Sequence, residues 1–420
     1  KISTRAEPSL CPPRSPTQQQ TPPLFFGTPP ASMLLSRNTV AMRGALNRGA
    51  PAAVLASRGA TVLSTPHTAP LDDSAPRGAS MSLAETMVRA GAEPRSNWTR
   101  EEIAAIYKQP FTELLFQAAA VHRANFDPLE VQRCTLLSIK TGGCTEDCKY
   151  CSQSSKYKTD VKASPTMQVD EVVEAAKRAK AAGSTRFCMG TAWRELGGKK
   201  SQFGRILEMV KEVRGMGLEV CCTLGMVTAD QAKQLKEAGL SAYNHNLDTS
   251  REHYPNVITT RTYDDRLETI RNVRKAGITV CCGGILGIGE GVEDRIGLLH
   301  ELASMETHPE SVPVNSLVAI DGTPLEGSKP VTIFEIGRTI ATARIVMPRS
   351  VVRLSAGRLS FTEMDQAVMF MAGANSIFTG DKLLTTPNPE FDEDTQLFAK
   401  LDLKGRPAFA ERPDVANATL

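Results

Sequence analysis

From about residue 134 onward the chain alternates short apolar runs with stretches whose apolar residues recur at helical spacing. The runs are CTLLSIK, TRFCMG, LEVCCTL, SAYNHNL, ITVCCGGIL, SVPVNSLVAI, VVRLSA and NSIF, ending near residues 140, 189, 222, 244, 282, 316, 354 and 378. Each is followed by a turn bearing Gly, Asn or Asp. Their mean interval of 34 residues is the length of one strand, one turn and one helix. Eight such units predict an α/β fold, a (β/α)8 TIM-type barrel over residues 134–403. A doubly wound open sheet uses the same alternation and is the rival arrangement. Ahead of the first run, Ile103, Ile106, Tyr107, Phe111, Leu114 and Leu115 stand at helical spacing behind a cap at Asn97 or Thr99. These predict an N-terminal helical extension over 81–133, and residues 404–420 read as a C-terminal tail.

The charge pattern separates a further segment. Residues 1–80 hold eight Lys or Arg and three acids, with no acid from Pro8 to Leu71, whereas the whole chain of 420 residues carries only +3. The protein behind this leader is therefore slightly acidic. An acid-free leader with spaced Arg among Ala and Ser is the pattern of an organelle transit peptide, with MLLSRNTVAMRGALNRGAPAAVLASRG from Met33 as its most characteristic part. Mitochondrial import is expected, with a plastid as the alternative; a disordered tail would share the composition. Hydrophobic residues at 41% exclude a disordered chain, and the near-neutral balance excludes a strongly basic nucleic-acid binder. No run approaches the roughly 20 apolar residues of a membrane-spanning helix. Neither a nucleic-acid nor a membrane partner is expected.

A barrel places its chemistry at the C-terminal ends of its strands, and the unusual residues fall there. Cys144, Cys148 and Cys151 follow the first run, Cys188 ends the second, and Cys221 and Cys222 end the third. Asn244, Asn246 and Asp248 end the fourth, Cys281 and Cys282 the fifth; Asn315 lies on the sixth and Arg353 on the seventh. Ten cysteines are too sparse here for a disulfide scaffold, and their clustering points to metal or redox chemistry.

The sharpest motif is GGCTEDCKYCSQS, a Cys-x3-Cys-x2-Cys loop. It wraps three soft thiolates round one centre. Three ligands suit a 4Fe-4S cluster with one open iron, whereas a structural zinc site is closed by four. A zinc site with a distant fourth ligand, or three unrelated buried thiols, are the other readings. Side chains alternate along a strand, so one member of Cys221-Cys222 and one of Cys281-Cys282 faces the lumen. The residues alone leave open which. Asn246 and Asp248, two apart, share a side, although an Asx turn would use the same residues.

Cys144, Cys148 and Cys151, with Tyr150 before the last, resemble the signature loop of the radical S-adenosylmethionine enzymes. More narrowly, CTEDCKYCSQSSKYKT, AKAAGSTRFCMG, YNHNLDTS, TTRTY, SVPVN, VRLSAGR, MAGANSIF and KLLTTPNPE resemble the biotin synthase family, over about residues 98–403. The resemblance implies S-adenosylmethionine as cofactor, chelated by the open iron, and dethiobiotin as substrate. It also implies sulfur insertion at C9 and C6 to give biotin, one S-adenosylmethionine being consumed per hydrogen abstraction. Catalytic roles then fall to Cys144, Cys148, Cys151 and Asn246.

By the same resemblance Cys188, Cys221, Cys281 and Arg353 ligate a second, 2Fe-2S cluster that supplies the sulfur. A guanidinium offers no lone pair, so the residues alone assign Arg353 to a carboxylate or to charge compensation. Its ligand role comes from the resemblance. Tyr150, Asp248, Arg266 and Ile285 are implied on the S-adenosylmethionine, and Asn246, Asn315 and Arg186 near the substrate. Cys134, Cys222 and Cys282 remain as packing residues. A ferredoxin-type electron donor, the iron-sulfur assembly machinery and a second copy in a homodimer are the implied partners. Another radical enzyme on the same barrel, such as a maturase or a thiazole-pathway lyase, would keep the loop thiols but need no second set. A non-enzymatic metal-binding protein would need a closed site.

Overall fold

The computed structural model describes residues 94–410. The leader at 1–80, the start of the extension and residues 411–420 lie outside them. The extension forms two helices, α1 (Arg100–Tyr107) and α2 (Phe111–Asn125). Thr99 caps the first: its hydroxyl accepts from Glu102 N at 3.2 Å while the Glu102 carboxylate accepts from Thr99 N at 2.9 Å. This reciprocal pair satisfies two backbone donors that a helix start leaves without partners.

Strands and helices then alternate: β1 (Glu130–Lys140), α3 (Val169–Ala181), β2 (Arg186–Thr191), α4 (Lys200–Gly215), β3 (Glu219–Thr223), α5 (Ala229–Glu237), β4 (Ala242–Asn244) and α6 (Tyr263–Lys275). They continue with β5 (Thr279–Cys281), β6 (Gly284–Leu286), α7 (Val292–Ala303), β7 (Ser311–Ser316), α8 (Ile333–Val346), β8 (Val351–Leu354), α9 (Glu363–Met371), β9 (Ser376–Phe378), α10 (Phe391–Lys400) and β10 (Lys404–Gly405). A threonine with an acid or amide three residues on also caps α5, α6, α8 and α9. Helix starts are thus written locally, turn by turn.

All pairings between neighbouring strands are parallel, and β9 returns to β1 through Gln132↔Ser376 and Cys134↔Phe378. The sheet is closed, which decides for the barrel against the open sheet. The fifth run differs from expectation. It is two short strands, β5 and β6, broken at Cys282-Gly283, and both pair with β7. A Cβ at Gly283 would stand 2.0 Å from the Pro313 carbonyl oxygen, so only glycine lets the chain step past β7 there.

Two boundaries move. β1 begins at Glu130 rather than Cys134, because Glu130 and the buried Val131 already pair with Lys404 and Gly405. Residues 404–410, expected as tail, close the N-terminal end of the barrel: Lys404 and Gly405 pair with Glu130 and Val131, and Phe409 N donates to Glu219 Oε1 at 2.9 Å.

Alternation sorts the side chains into two buried sets. Phe187, Met189, Val220, Cys222, Val280 and Cys282 pack outward against the helices. Cys134, Cys188, Cys221, Ala242, Cys281 and Phe378 form a separate inner set. Beyond β8, Arg358 is fully buried; it pairs with Asp394 of α10 and donates to the Phe378 carbonyl at 2.7 Å, tying the C-terminal helix to the end of β9. Removing one partner strands a buried charge. Asp394→Ala is expected to cost about 3–5 kcal/mol, measured by chemical denaturation.

Candidate active site

The loop after β1 is bent back on itself by its own backbone. Gly142 and Gly143 adopt φ of 66° and 68°, Cys144 N donates to Gln153 O at 2.9 Å, and Ser155 N donates to Cys144 O at 2.7 Å. The loop is also docked on the segment after β4. The Asp147 carboxylate accepts from Thr259 N at 2.9 Å and Thr260 N at 3.2 Å, and Lys149 N donates to Val257 O at 3.1 Å. Glu146, buried beneath, accepts from the Thr260 hydroxyl and lies 3.8 Å from Arg261 and 3.5 Å from Arg194. The TTRTY string is thus the loop's anchor as well as the cap of α6.

So held, Cys144, Cys148 and Cys151 line one cavity of about 320 Å³ at the C-terminal ends of the strands. That volume lies in the range of small-molecule sites, roughly 300–1,000 Å³. Burial pushes the Cys148 thiol up to about 12 and the Cys151 thiol up to about 11, and raises Cys144 as well. Binding iron must therefore displace their protons. Among the described residues no three His, Cys, Asp or Glu side chains converge as they would on a single ion. What the loop presents is three soft donors spaced round one wall. That donor set fits a multi-iron cluster.

Asp248 is the polar node of the cavity. Its Oδ2 accepts from the Tyr150 hydroxyl at 2.8 Å and from Arg266 Nη2 at 2.5 Å. Arg266 also donates to the Tyr254 hydroxyl at 2.8 Å and to the Asn246 carbonyl. The backbone of Asp248, at φ 68°, bonds across to Gly283 and Ile285, fixing the carboxylate against β6. Asn246 Oδ1 accepts from Gly283 N at 3.2 Å; Asn315 donates to the Gly284 carbonyl at 2.9 Å and accepts from Ala356 N at 3.3 Å. Both asparagines and Ile285 line the cavity. Opposite, the loop after β9 reaches over the opening: Thr385 and Ser152 hydroxyls lie 3.0 Å apart, and Leu384 fills the space over Gly190.

Deeper in the barrel lie the inner thiols. Cys188 and Cys221 are partners across β2 and β3 and hydrogen-bond to each other. Cys281 and Arg353 reach the cavity. Arg353 donates to Cys281 Sγ at 3.6 Å, Cys134 Sγ at 3.3 Å and Ser376 Oγ at 2.9 Å. Cys222 and Cys282 face the helices, so the members turned inward are Cys221 and Cys281.

Arg186 stands apart from the cavity lining. Arg186 begins β2, at the end of the barrel remote from the loop cysteines, and its guanidinium is committed to Glu219 at 2.5 Å. It does not line the cavity. Two other residues of the cavity wall are not legible in the sequence as site residues. His245 is buried in the cavity wall with Nε2 unpartnered, and burial followed by Arg266 and Arg261 holds its pKa well below the ordinary value. Thr385 acts through a fold-back from β9. Cys134, expected as packing, is fully buried in the inner apolar set with Ala242 and Phe378.

Comparison with known proteins agrees with this geometry. Residues 138–302 match the Radical SAM superfamily and residues 313–404 the Biotin and Thiamin Synthesis associated domain. The mitochondrial biotin synthase of Arabidopsis thaliana is 63% identical over 329 residues, 78% of this chain and 86% of that protein. The mitochondrial biotin synthase of Emericella nidulans is 52% identical over 376 residues, 90% of this chain and 94% of that one. Among solved structures, methylornithine synthase superposes with a TM-score of 0.64 at 18% identity, over 76% of this chain and 97% of its own. A maturase of the FeFe-hydrogenase gives 0.65 at 16%, over 78% and 76%. These two share the fold.

The Asp248–Arg266 pair is almost wholly buried. Asp248→Ala leaves the guanidinium without its carboxylate and is expected to cost about 3–5 kcal/mol of stability in the cluster-free protein. Asp248→Asn, which keeps one acceptor oxygen, should cost less. Urea titration of the two variants checks the order.

Proposed function

The chain belongs to the biotin synthase family, and from that premise we propose how its cavity carries the family's reaction. The enzyme is a radical S-adenosylmethionine protein that inserts sulfur into dethiobiotin to form biotin. The observation that carries the residue-level reading is the joining of two sulfur sets, the loop thiols and Cys281 of the inner thiols, in one cavity.

When bound, a 4Fe-4S cluster at the loop and a 2Fe-2S cluster at the inner thiols supply, respectively, the electron that splits S-adenosylmethionine into methionine and a 5′-deoxyadenosyl radical and the sulfur joined to C9 and C6. Cys144, Cys148 and Cys151 hold the first, each as a thiolate. Cys188, Cys221, Cys281 and Arg353 would hold the second. Asp248 serves the ribose: Tyr150 and Arg266 both occupy Oδ2, which leaves Oδ1 to accept from a sugar hydroxyl. Tyr150 and Arg266 themselves act by holding that carboxylate. Ile285 offers an apolar face to the adenine.

Asn246 has its oxygen fixed by Gly283 N, so its amide N–H groups are turned to S-adenosylmethionine and substrate. Asn315, clamped at both ends, positions dethiobiotin from the other wall. Arg186 is left out of substrate binding. Its pairing with Glu219 makes it a fixed positive charge below the thiols. Leu384 and Thr385 close the opening. Enclosure matters because a primary carbon radical attacks nearly any C–H bond within reach, so fixed geometry and exclusion of water decide the product.

A ferredoxin-type donor meets the need for single electrons, and iron-sulfur assembly proteins the need to load and reload the thiols. A homodimer is the proposed assembly. Mitochondrial import is supported by the acid-free leader and by the mitochondrial names of two relatives. A fusion of residues 33–80 to a fluorescent protein should concentrate in mitochondria; diffuse cytosolic signal would count against import.

Anaerobically reconstituted protein, given dethiobiotin, S-adenosylmethionine and a reducing system, is expected to form biotin. Cys188→Ala should abolish biotin while still cleaving S-adenosylmethionine, since the loop thiols are untouched. Undiminished biotin formation by that variant would remove the second-cluster assignment.

A further inference from the structure

We propose that the outer face of the cysteine loop, with Lys156, Lys158 and Lys162 as its charged contacts, is the docking surface for an acidic one-electron carrier of the ferredoxin type. The proposal rests on the reading that the loop thiols hold a cluster that must be reduced one electron at a time.

Residues 140–162 include five lysines and three acids. Folding takes two of those acids off the surface. Glu146 is buried against Thr260, Arg261 and Arg194, and the Asp147 carboxylate accepts from Thr259 N and Thr260 N. Of the lysines, Lys140 is turned back onto the Gly142 carbonyl. Among the described residues Lys149, Lys156, Lys158 and Lys162 have no acid partner, and the last three are exposed. Asp160 is the exposed acid of the stretch, and Asp321 stands at its edge, next to Gly322, which meets the Lys158 carbonyl. A chain that carries only +3 over 420 residues thus concentrates unpaired positive charge on one loop.

The place of this charge selects the partner. Cys144 is half-buried and both its neighbours, Gly143 and Thr145, are exposed, whereas Cys188, Cys221 and Cys281 are buried. Lys156 follows Ser155, whose N–H donates to the Cys144 carbonyl at 2.7 Å. Lys162 precedes Ala163, whose Cα a Cβ at Gly142 would meet at 2.9 Å. The lysines therefore frame the backbone that covers the loop thiols. On the opposite side Leu384 and Thr385 reach over the opening. A carrier seated on the loop gives up one electron and the loop cluster gains it, with no bond made or broken. Opposite charge speeds such an encounter and orients the carrier, and salt weakens it.

The test uses reconstituted full-length protein with an acidic 2Fe-2S ferredoxin kept reduced by its NADPH-dependent reductase, beside dithionite, a small reductant that needs no docking. One variant combines Lys156→Glu, Lys158→Glu and Lys162→Glu. A control combines Lys211→Glu, Lys233→Glu and Lys275→Glu, exposed lysines of α4, α5 and α6, and so reverses the same total charge elsewhere. The loop variant should lose about tenfold or more in ferredoxin-driven cleavage of S-adenosylmethionine and keep its dithionite-driven rate. The control should keep both. Carbodiimide, which joins lysine amines to carboxylates in contact, should cross-link ferredoxin to Lys156, Lys158 or Lys162 of the unmodified protein, read by mass spectrometry without turnover. An unchanged ferredoxin-driven rate in the loop variant overturns the proposal, as does an equal loss in the control or cross-linking confined to other faces. Loss of the dithionite-driven rate in step with the ferredoxin-driven one also overturns it, since the lysines would then serve the loop's own structure. So does an unmodified protein that turns over with dithionite and not with ferredoxin. If the unmodified protein cleaves no S-adenosylmethionine even with dithionite, the loop-cluster reading falls and this proposal with it, an outcome distinct from failure of the docking surface alone.

Discussion

Side chains alternate across a strand, and in a sheet closed on itself one of the two faces has no route to solvent except through the ends of the barrel. Everything inward must either pack or bind. In this protein closure turns Cys188, Cys221 and Cys281 toward one another and sends Cys222 and Cys282 outward to pack under the helices. Because the strands are parallel, all their C-terminal ends lie at one mouth. Residues hundreds of positions apart in sequence, such as Tyr150 and Leu384, come to line one cavity.

A closed interior also raises the cost of every charge placed in it. The structure meets that cost by committing each cation to fixed acceptors. Arg266 is held by Asp248, Tyr254 and Asn246; Arg186 by Glu219; Arg353 by two sulfurs and a serine hydroxyl. Desolvated in this way, each charge acts on its neighbours at greater strength than in water. Burial, by contrast, favours the neutral form of Cys148 and Cys151, so a metal bound to them would have to displace their protons. The Asp248 backbone and the Asn246 amide oxygen bond to backbone at the strand break around Gly283, while Tyr150 and Arg266 hold the Asp248 carboxylate, so the polar node is anchored to the barrel wall.

The loop that carries the cysteines has little apolar surface of its own. Its position comes from the reciprocal contacts of Glu146 and Asp147 with Thr259, Thr260 and Arg261. A loop pinned at both its own neck and a second loop can hold three thiols at fixed spacing, which a mobile loop could not do. On the far side the fold-back after β9 uses the missing side chain of Gly190 to seat Leu384. The cavity is thus walled by loops that each belong to a different βα unit.

The sequence by itself determined the barrel, the extension helices and the loop motif, because these depend on local periodicity, capping residues and spacing. Thr99 with Glu102, Cys144 with Cys148 and Cys151, and the strand-end positions of Asn246, Asp248 and Arg353 were all legible. Which face of a CC pair points inward was set only by register, since neighbouring residues differ in nothing but alternation. That Arg186 sits at the start of β2, paired with Glu219 and off the cavity lining, is invisible until Glu219 is seen beside it. Cys134 reads as packing in an apolar run and is buried in the inner set, where only the closing of β9 onto β1 sets it beside Arg353. Chain proximity governs what a pattern can reveal, and these pairings are made across strands, where only closure of the sheet brings the partners together.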